Sequence, residues 1–309
     1  VDLIDNEEVI LLLKNQNKVF LKYITTKKPY VLLKVATTLD GKIATSSRVP
    51  SAISNTISHN YVHFMRHNYN SIMVGKNTVL LDNPSLNCRL SFNEDNKDEF
   101  VDIYSKYLQV SLGNQLNSDS GIVDINYKEI AKNFIERLRV DGVSQPVRII
   151  VSSQADIDIN SNVFKNLDKC KTIVTYVGFA SCEKEGFASY ENIKNLSVQG
   201  VETLRVERSA GNDNKINLEL LLSELGKLKI DSILLEGGGN LNFSFLENNL
   251  IDEVAFFVAP KLVGGRDAIS SIEGKGFSTI NDAVLLDKSS IITQNIDGDI
   301  LISGKILKK

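Results

Sequence analysis

The sequence predicts an α/β fold, in which a mostly parallel central sheet has helices on both faces and an antiparallel edge near the C-terminus. Short apolar and β-branched runs recur along the chain, and such runs are typical of buried strands. Segments with helical spacing alternate with these runs, which favours parallel strands joined by crossover helices. The last apolar stretch, residues 291–306, supplies one or two strands that we expect at the antiparallel edge.

The individual elements follow from the same patterns. In chain order, the runs that predict strands are residues 30–36, 71–75, 147–151, 171–177, the weaker 202–206, 231–236, 254–263 and 291–306. Helical spacing indicates helices at residues 7–21, 55–67 and 126–140, then one capped by Asn217 and one that runs through Leu246. Asp40 and Gly41 predict a tight turn after the first strand.

Two segments lie outside this alternation. Residues 1–28 are expected to form an N-terminal helical arm or connector, and residues 29–309 form the main domain. Residues 91–145 are first rich in Asn, Asp, Ser and Lys and then amphipathic, so we expect a surface insertion outside the common core. Because polar loops tolerate insertion at low cost, a decoration is favoured over a partner-binding site.

Composition restricts the class of protein. The 309-residue chain has a formal charge of -3 and a pI near 5.8, which argues against a nucleic-acid partner. No apolar run approaches the roughly 18 residues that a membrane span needs, and no secretory signal is visible at the start. Cys88, Cys170 and Cys182 have no zinc spacing and no even count for disulfides. We therefore expect a cytoplasmic protein with reduced thiols and no membrane partner.

Asp82 lies in a context that indicates chemistry. It precedes Asn83 and Pro84, and proline pushes the residue before it toward extended geometry, so Asp82 ends a regular element. Arg89 follows seven residues later. A single acid is usually only solvated, but an acid and an arginine on a loop beside a rigid scaffold form a candidate site.

A second motif places Glu236 and three glycines, Gly237 to Gly239, between a predicted strand and a predicted helix. Glycine lets a ligand approach the backbone closely, and free N–H groups at a helix start attract phosphate. The spacing is not that of the G-x-G-x-x-G fingerprint, so the motif alone is equally compatible with a plain loop.

Taken in order, the motifs resemble the reductase domain of riboflavin biosynthesis, which implies a three-layer, dihydrofolate-reductase-like α/β fold. The motifs are residues 34–44 (KVATTLDGKIA), Arg66, Gly75, residues 78–84 (TVLLDNP), Leu86, Arg89, residues 235–239 (LEGGG) and residues 259–265 (APKLVGG). In many bacteria this domain is the C-terminal half of a deaminase–reductase, and in fungi and archaea it stands alone. The resemblance covers residues 17–306 apart from the insertion.

The resemblance implies an enzyme that uses NADPH to reduce the phosphorylated ribosyl group of an aminopyrimidine to a ribityl chain, with the hydride arriving at the sugar C1′. The substrate is of the 5-amino-6-(5-phosphoribosylamino)uracil type, and the non-deaminated 2,5-diamino pyrimidinone phosphate stays open as the alternative. A homodimer is also implied, and a deaminase domain or partner stays open. The deaminase motifs His-x-Glu and Pro-Cys-x-x-Cys do not occur in this sequence.

The resemblance also assigns the site residues. Arg66, Leu86, Arg89 and Glu236 fall at substrate positions, where a guanidinium fork suits a sugar phosphate. Asp82 is our hypothesis for the catalytic residue that handles the proton. The cofactor positions are Ala36, Thr78, Asp82, Ser153 near the adenosine 2′-phosphate, and Gly237, Gly238, Gly239, Asn240 and Leu241 around the pyrophosphate.

The sequence departs from the family at residues 48–54. Many bacterial members carry Gly-x-Ser-x-Trp-Ile-Thr there, whereas this chain has Arg48, Pro50 and Ala52 in place of the Gly, Ser and Trp. Stand-alone fungal reductases also lack that Trp, so the change need not abolish activity. Two alternatives to an active reductase are a homologue that binds pathway enzymes without turnover and a reductase of dihydrofolate.

Three histidines invite a metal site, because His59, His63 and His67 recur at every fourth position of a predicted helix. The outer two would lie roughly 12 Å apart at about 1.5 Å per residue, which is too far for one ion. No cysteine or paired carboxylate stands nearby in the sequence. We therefore expect no metal and a polar helix face beside Arg66.

Overall fold

The computed structural model describes residues 7–49, 51–93, 95–112, 126–177, 189–209 and 212–308. Its helices are α1 (Glu7–Gln16), α2 (Lys18–Thr26), α3 (Thr56–Asn68), α4 (Lys76–Asp82), α5 (Lys97–Leu112), α6 (Tyr127–Asp141), α7 (Ser189–Val198), α8 (Leu218–Lys227) and α9 (Gly239–Glu247). Its strands are β1 (Tyr30–Thr38), β2 (Lys42–Ala44), β3 (Ser71–Gly75), β4 (Val147–Val151), β5 (Thr172–Val177), β6 (Glu202–Val206), β7 (Arg208–Ser209), β8 (Asn212–Ile216), β9 (Ser232–Leu235), β10 (Glu253–Ala259), β11 (Ile269–Ser270), β12 (Ile292–Ile296) and β13 (Asp299–Lys305). Within these described ranges, no helix has the length and apolar character needed to cross a membrane.

A 9-stranded sheet forms the centre, in the order β12-β13-β10-β1-β9-β3-β4-β5-β6. Every pairing from β10 to β6 is parallel, whereas β13 pairs antiparallel with β10 and β12. The predicted mostly parallel sheet with an antiparallel C-terminal edge is therefore confirmed. β10 ends at Ala259 and not at the predicted residue 263, because Pro260 has no N–H to continue the ladder.

The side chains of β1 alternate between two cores, one on each face of the sheet. Tyr30 and Leu32 belong to a buried cluster with Phe64 of α3. Val31, on the opposite face, belongs to a second cluster with Leu221 of α8. Helices therefore cover both faces of the sheet, as predicted.

The segment expected to be a surface insertion needs a correction, because its helices contribute to the core. α5 was not predicted, and it packs with α6 over the α3 face of the sheet. The Phe64 and Phe100 rings lie 5.9 Å apart, and Tyr104 stacks on Phe134 at 4.0 Å. The amphipathic helix predicted at residues 126–140 is confirmed, and Asn126 caps it by accepting the N–H of Glu129. Residue 94 and residues 113–125 of the segment lie outside the described residues.

The N-terminal arm contacts the amino-terminal ends of the parallel strands. α2 runs to Thr26, beyond the predicted end at residue 21. Its Lys18 and Lys22 form ion pairs with Glu253 and Asp252, which begin the β10 region. Because the parallel strands share one direction, the arm contacts the ends of the strands opposite to their carboxyl ends.

Candidate active site

The carboxyl ends of the parallel strands open into one large cleft. Glycine or short loops follow β3, β4 and β9 at this edge, where ligands of open α/β sheets commonly bind. The cleft has a volume of about 1390 Å³ and is lined by the starts of α4 and α9, by the ends of β3 and β4, and by β2. We call this space the cleft.

Most of the residues predicted to bind a cofactor line the cleft. They are Thr78, Asp82, Ser153, Gly238, Gly239, Asn240 and Leu241. Asp82 ends α4 at an exposed position, and partial desolvation raises the pKa of its carboxyl group. Neither Gly237 nor Ala36 contributes to the lining. Ala36 lies on β1 and packs against the core on the α3 side.

The glycine-rich loop leads into an uncapped helix start. Gly238 is the N-cap of α9 and supplies no side-chain acceptor, so the first N–H groups of α9 point toward the cleft without a cap. A Cβ on Gly238 would meet only Thr78 Oγ1, at 3.6 Å, whereas a Cβ on Gly239 would lie 2.5 Å from the carbonyl oxygen of Ser270. Asn240 Nδ2 donates to Glu273 Oε2 at 2.8 Å, which fixes the facing loop. This cradle of backbone donors fits the diphosphate of a dinucleotide cofactor.

A second group of side chains, which we call the charged cluster, adjoins the cleft. Its members are Lys34, His59, His63, Arg66, Arg89 and Glu236. Arg66 donates two bonds to Glu236, from Nε and Nη2, each of 2.9 Å, and Lys34 Nζ lies 3.8 Å from the same carboxylate. Glu236 follows β9 and precedes Gly238 by two positions, so the cluster and the cleft meet at this point of the chain.

The electrostatics of the cluster are set by burial and by the excess of cations. Burial alone would raise the pKa of Glu236, but the charges of Arg66 and Lys34 outweigh it and hold the pKa at about 2. Burial lowers the pKa of Lys34, although Glu236 opposes this shift. With Arg89 included, three cations face one carboxylate, so the cluster can take up a further anion.

The loop after α4 presents Arg89. Arg66 Nη1 donates to the carbonyl oxygen of Asn87 at 3.1 Å, and Arg89 Nη1 donates to Asn87 Oδ1 at 2.9 Å. Arg89 is exposed, so its guanidinium is accessible to a ligand. Leu86 has φ +49° and its side chain is buried in the core with Ile72. A ligand could therefore reach Leu86 only through its backbone.

The structure divides the predicted site residues into these two groups. Arg66, Arg89 and Glu236 come together in the charged cluster, whereas Asp82 lines the cleft. Sequence reasoning did not assign Lys34, His59 or His63 to the site. The signal for Lys34 was available, because it shares a β1 face with Ala36 two residues later.

The histidines of α3 bond to protein donors rather than converging on an ion. The backbone N–H of Arg89 donates to His63 Nδ1 at 3.2 Å, and that of Ser144 donates to His67 Nδ1 at 3.0 Å. A neutral ring whose Nδ1 accepts carries its proton on Nε2, so His63 Nε2 offers no lone pair to a metal. Among the described residues, no group of three or more His, Cys, Asp or Glu side chains could hold a metal ion.

Comparison with known proteins shows the family. The model of the family described as the RibD C-terminal domain matches residues 29–300. This chain belongs to the RibD C-terminal domain family. It is 32% identical over 291 residues to the riboflavin biosynthesis protein RibD of Actinobacillus pleuropneumoniae, which covers 94% of this chain and 60% of that protein. The chain thus spans about three fifths of that relative's length.

A second relative has a similar length. The 2,5-diamino-6-ribosylamino-4(3H)-pyrimidinone 5′-phosphate reductase of Methanothermobacter thermautotrophicus is 30% identical over 260 residues, which is 84% of this chain and 91% of that protein. Among solved structures, RibD of Acinetobacter baumannii matches with a TM-score of 0.65 at 22% identity and covers 96% of this chain and 63% of that one. The Saccharomyces reductase Rib7 matches with a TM-score of 0.57 at 15% identity, over 96% of this chain and 99% of that one. These structures confirm the predicted fold class.

The segment predicted to depart from the pattern of many bacterial family members, residues 48–54, borders the cleft. Arg48, Val49 and Ser51 line it, and Arg48 has φ +56°. Lys261 Nζ donates to the carbonyl oxygen of Ile53 at 2.6 Å and so fixes the end of the segment. Pro50 lies outside the described residues.

Proposed function

We propose that this chain is an NADPH-dependent oxidoreductase of riboflavin biosynthesis, which reduces the ribosyl group of a phosphorylated aminopyrimidine to the ribityl form. The observation that carries the proposal is the cationic cluster around Glu236 directly beside a cleft suited to a dinucleotide. Relatives named for this reduction, and a family model over residues 29–300, support it.

The charged cluster takes the sugar phosphate in this proposal. Arg89 is the exposed cation, and Arg66 is held at the base of the cluster by its two bonds to Glu236. A guanidinium suits a phosphate because its N–H groups match two oxygens at once. The carboxylate of Glu236 keeps acceptor positions that can take bonds from sugar hydroxyls or from pyrimidine amines.

The reaction opens the sugar ring, so that the bond between C1′ and O4′ breaks while C1′ gains hydrogen and O4′ gains a proton. A reduced nicotinamide supplies the hydride when it is bound. We assign the proton to Asp82, which lines the cleft. Desolvation raises the pKa of the Asp82 carboxyl group, which is the direction that a general acid needs.

The cofactor would be held by the cradle at the start of α9, with Thr78 beside it. Ser153 lies two residues after β4, and both Ser153 and Lys215 line the cleft. A hydroxyl and a cation in the cleft lining suit an adenosine 2′-phosphate, which supports NADPH over NADH.

The experiment that tests the proposal is the loss of NADPH absorbance when the purified chain meets the deaminated and the non-deaminated ribosylaminopyrimidine phosphates in parallel. Turnover of one substrate is expected, and its preference identifies the order of the deamination and reduction steps. NADH and dihydrofolate serve as matched controls and should give little turnover. NADPH binding without turnover of either phosphate would favour a non-catalytic homologue.

The oligomeric state and the cellular location of the enzyme belong to the same proposal. A homodimer is supported by apolar side chains exposed at the antiparallel edge, namely Leu285, Ile300 and Leu307. A reducing, cytoplasmic location is supported by the buried free thiols of Cys88 and Cys170. Light scattering of the purified chain tests the dimer directly, and a monomer at micromolar concentration would contradict it.

A further inference from the structure

Two histidines of α3 form a chain of hydrogen bonds that begins and ends at Arg89. His63 is 2% exposed, and its Nδ1 accepts the backbone N–H of Arg89 at 3.2 Å. His63 Nε2 lies 3.1 Å from His59 Nε2. His59 reaches the surface, where the Arg89 Nη2 atom lies 3.4 Å from the same His59 Nε2.

This chain of bonds permits only one set of neutral tautomers. Because His63 Nδ1 accepts, its ring carries the proton on Nε2 and donates it to His59. His59 Nε2 must then accept, both from His63 and from the Arg89 guanidinium, so the proton of the His59 ring is on Nδ1. Asn87 Oδ1 accepts from Arg89 Nη1, and the acceptor at His59 Nε2 adds the bond that joins the guanidinium to α3.

We propose that His63 and His59 are positioning residues that hold the backbone and the guanidinium of Arg89 in place for an anionic ligand, and that they do so only while both rings are neutral. The inference rests on the proposed function, in which Arg89 binds the phosphate of the substrate. Neither histidine touches the ligand in this account.

The backbone around Arg89 is fixed independently of its side chain. The Cys88 Sγ donates to the carbonyl oxygen of His63 at 3.0 Å. From the other side, the amide of Gln145 pairs with both backbone groups of Cys88, accepting its N–H at 2.9 Å and donating to its carbonyl at 2.9 Å. Since the backbone cannot move far, the direction of the Arg89 side chain depends on its two acceptors, Asn87 Oδ1 at 2.9 Å from Nη1 and His59 Nε2 at 3.4 Å from Nη2.

Acid should break this arrangement. The groups that face His59 come from its own helix, from the Arg89 loop, from β1 and from the residue after β9: His63, Arg66, Arg89, Lys34 and Glu236. Burial and the nearby cations lower the pKa of His59 from its usual 6.5. When His59 takes up a proton, its Nε2 becomes a donor facing two other donors, and its new charge repels the Arg89 guanidinium.

The test measures the binding of ribose 5-phosphate to the full chain by calorimetry, from about pH 7.5 to about pH 4.5, because the pKa of His59 lies below its usual 6.5. The variants are His59→Gln, which keeps an acceptor oxygen without titrating, and His59→Leu, which has no acceptor. His67→Gln is the matched control, because His67 lies two turns along the same helix and bonds the backbone of Ser144 instead. The ligand's own phosphate titrates near pH 6 and affects every variant alike.

We expect wild type and His67→Gln to lose about tenfold more affinity over this range than His59→Gln does. His59→Leu should bind about tenfold more weakly than wild type at the high end of the range. The proposal is overturned if His59→Gln follows the wild-type pH profile, or if His59→Leu binds as wild type does.

Nitrogen chemical shifts of the histidine rings in the free protein provide a second readout, which does not depend on any activity. His63 should carry its proton on Nε2 and His59 on Nδ1. The reverse pattern would overturn the proposed positioning of Arg89 by the two histidines. If these tautomers are found but wild type binds no ribose 5-phosphate at any pH, the phosphate role of Arg89 fails, and with it the proposed function at this site. If wild type binds ribose 5-phosphate but the tautomers are reversed, only the positioning role of the two histidines fails.

Discussion

The charged cluster and the cleft lie side by side but are built in different ways. In the cluster, side chains from α3, β1 and the end of β9 are already bonded to one another, as the pair of 2.9 Å bonds between Arg66 and Glu236 shows. In the cleft, the cradle at Gly238 and Gly239 offers backbone N–H groups, and no side chain caps the helix. The cluster is thus prepared by buried charge, and the cleft by shape and backbone direction.

This difference indicates how each region responds to substitution. Buried, paired charges depend on one another, so the removal of one partner leaves the others unpaired in a site with little water. A backbone cradle has no such dependence, and only added atoms that occupy the ligand's space disturb it. Changes in the cluster should therefore reduce both stability and turnover, whereas changes in the cleft can reduce binding or turnover alone.

The largest effect is expected for Glu236→Gln. The neutral amide leaves Lys34 and Arg66 without their counter-charge, so turnover should fall about 100-fold or more and the free energy of unfolding should fall by about 3–5 kcal/mol. Steady-state kinetics and urea unfolding measure the two. Asp102→Asn is the matched control, since it removes the exposed pair with Lys128 and should change neither quantity measurably. Wild-type values for Glu236→Gln would show that the cluster is not an interdependent unit.

Asp82→Asn should affect chemistry without affecting the fold. If Asp82 supplies the proton, turnover falls about tenfold or more, while NADPH binds with nearly unchanged affinity. Stopped-flow absorbance and a fluorescence titration of NADPH separate these quantities. Unchanged turnover would end the assignment of the proton to Asp82.

Two neighbouring glycines separate the effect of shape from that of packing. In Gly238→Ala the new methyl group meets only Thr78 Oγ1 at 3.6 Å, so the melting temperature should stay and NADPH should bind about tenfold more weakly. In Gly239→Ala the methyl group would lie 2.5 Å from the Ser270 carbonyl oxygen, so stability should also fall, by about 1–3 kcal/mol. Equal melting temperatures for the two variants would contradict this description of the cradle.

The last prediction concerns the free energy of unfolding in acid, to which the titration of Glu236 contributes. This titration has no effect at neutral pH. Glu236 has a pKa of about 2 in the folded chain, against about 4.3 for an unperturbed Glu. Because the folded pKa is depressed, the stabilising contribution is complete above about pH 4.3 and is lost as the pH falls toward 2. Urea unfolding between about pH 6 and about pH 3 should show a steeper loss for wild type than for Glu236→Gln. Parallel curves would mean that Glu236 is not the titrating group.

Local patterns were sufficient to predict most of the sheet, because a buried strand such as β1 is both apolar and short. They were insufficient for α5, since the polar residues before Phe100 and the gap in apolar spacing after Val110 concealed an amphipathic helix. The buried spacing of Phe100, Ile103 and Tyr107 is helical and could have indicated it.

The sequence predicted only those site residues that belong to a recognisable sequence motif. Asp82, Arg89 and Glu236 stand in recognisable contexts along the sequence. The bond from Arg89 to His63 joins residues that are far apart in the sequence, and it exists only because the loop after α4 folds back on α3. No local pattern contains such a contact.

The central claim is that the chain reduces the sugar and not the pyrimidine ring. It is tested most directly by a reaction with NADPH that carries deuterium at the nicotinamide C4, followed by mass spectrometry and NMR of the product. The account predicts one deuterium at C1′ of a ribityl phosphate. Deuterium in the pyrimidine ring, or NADPH that binds and never transfers its label, would contradict it.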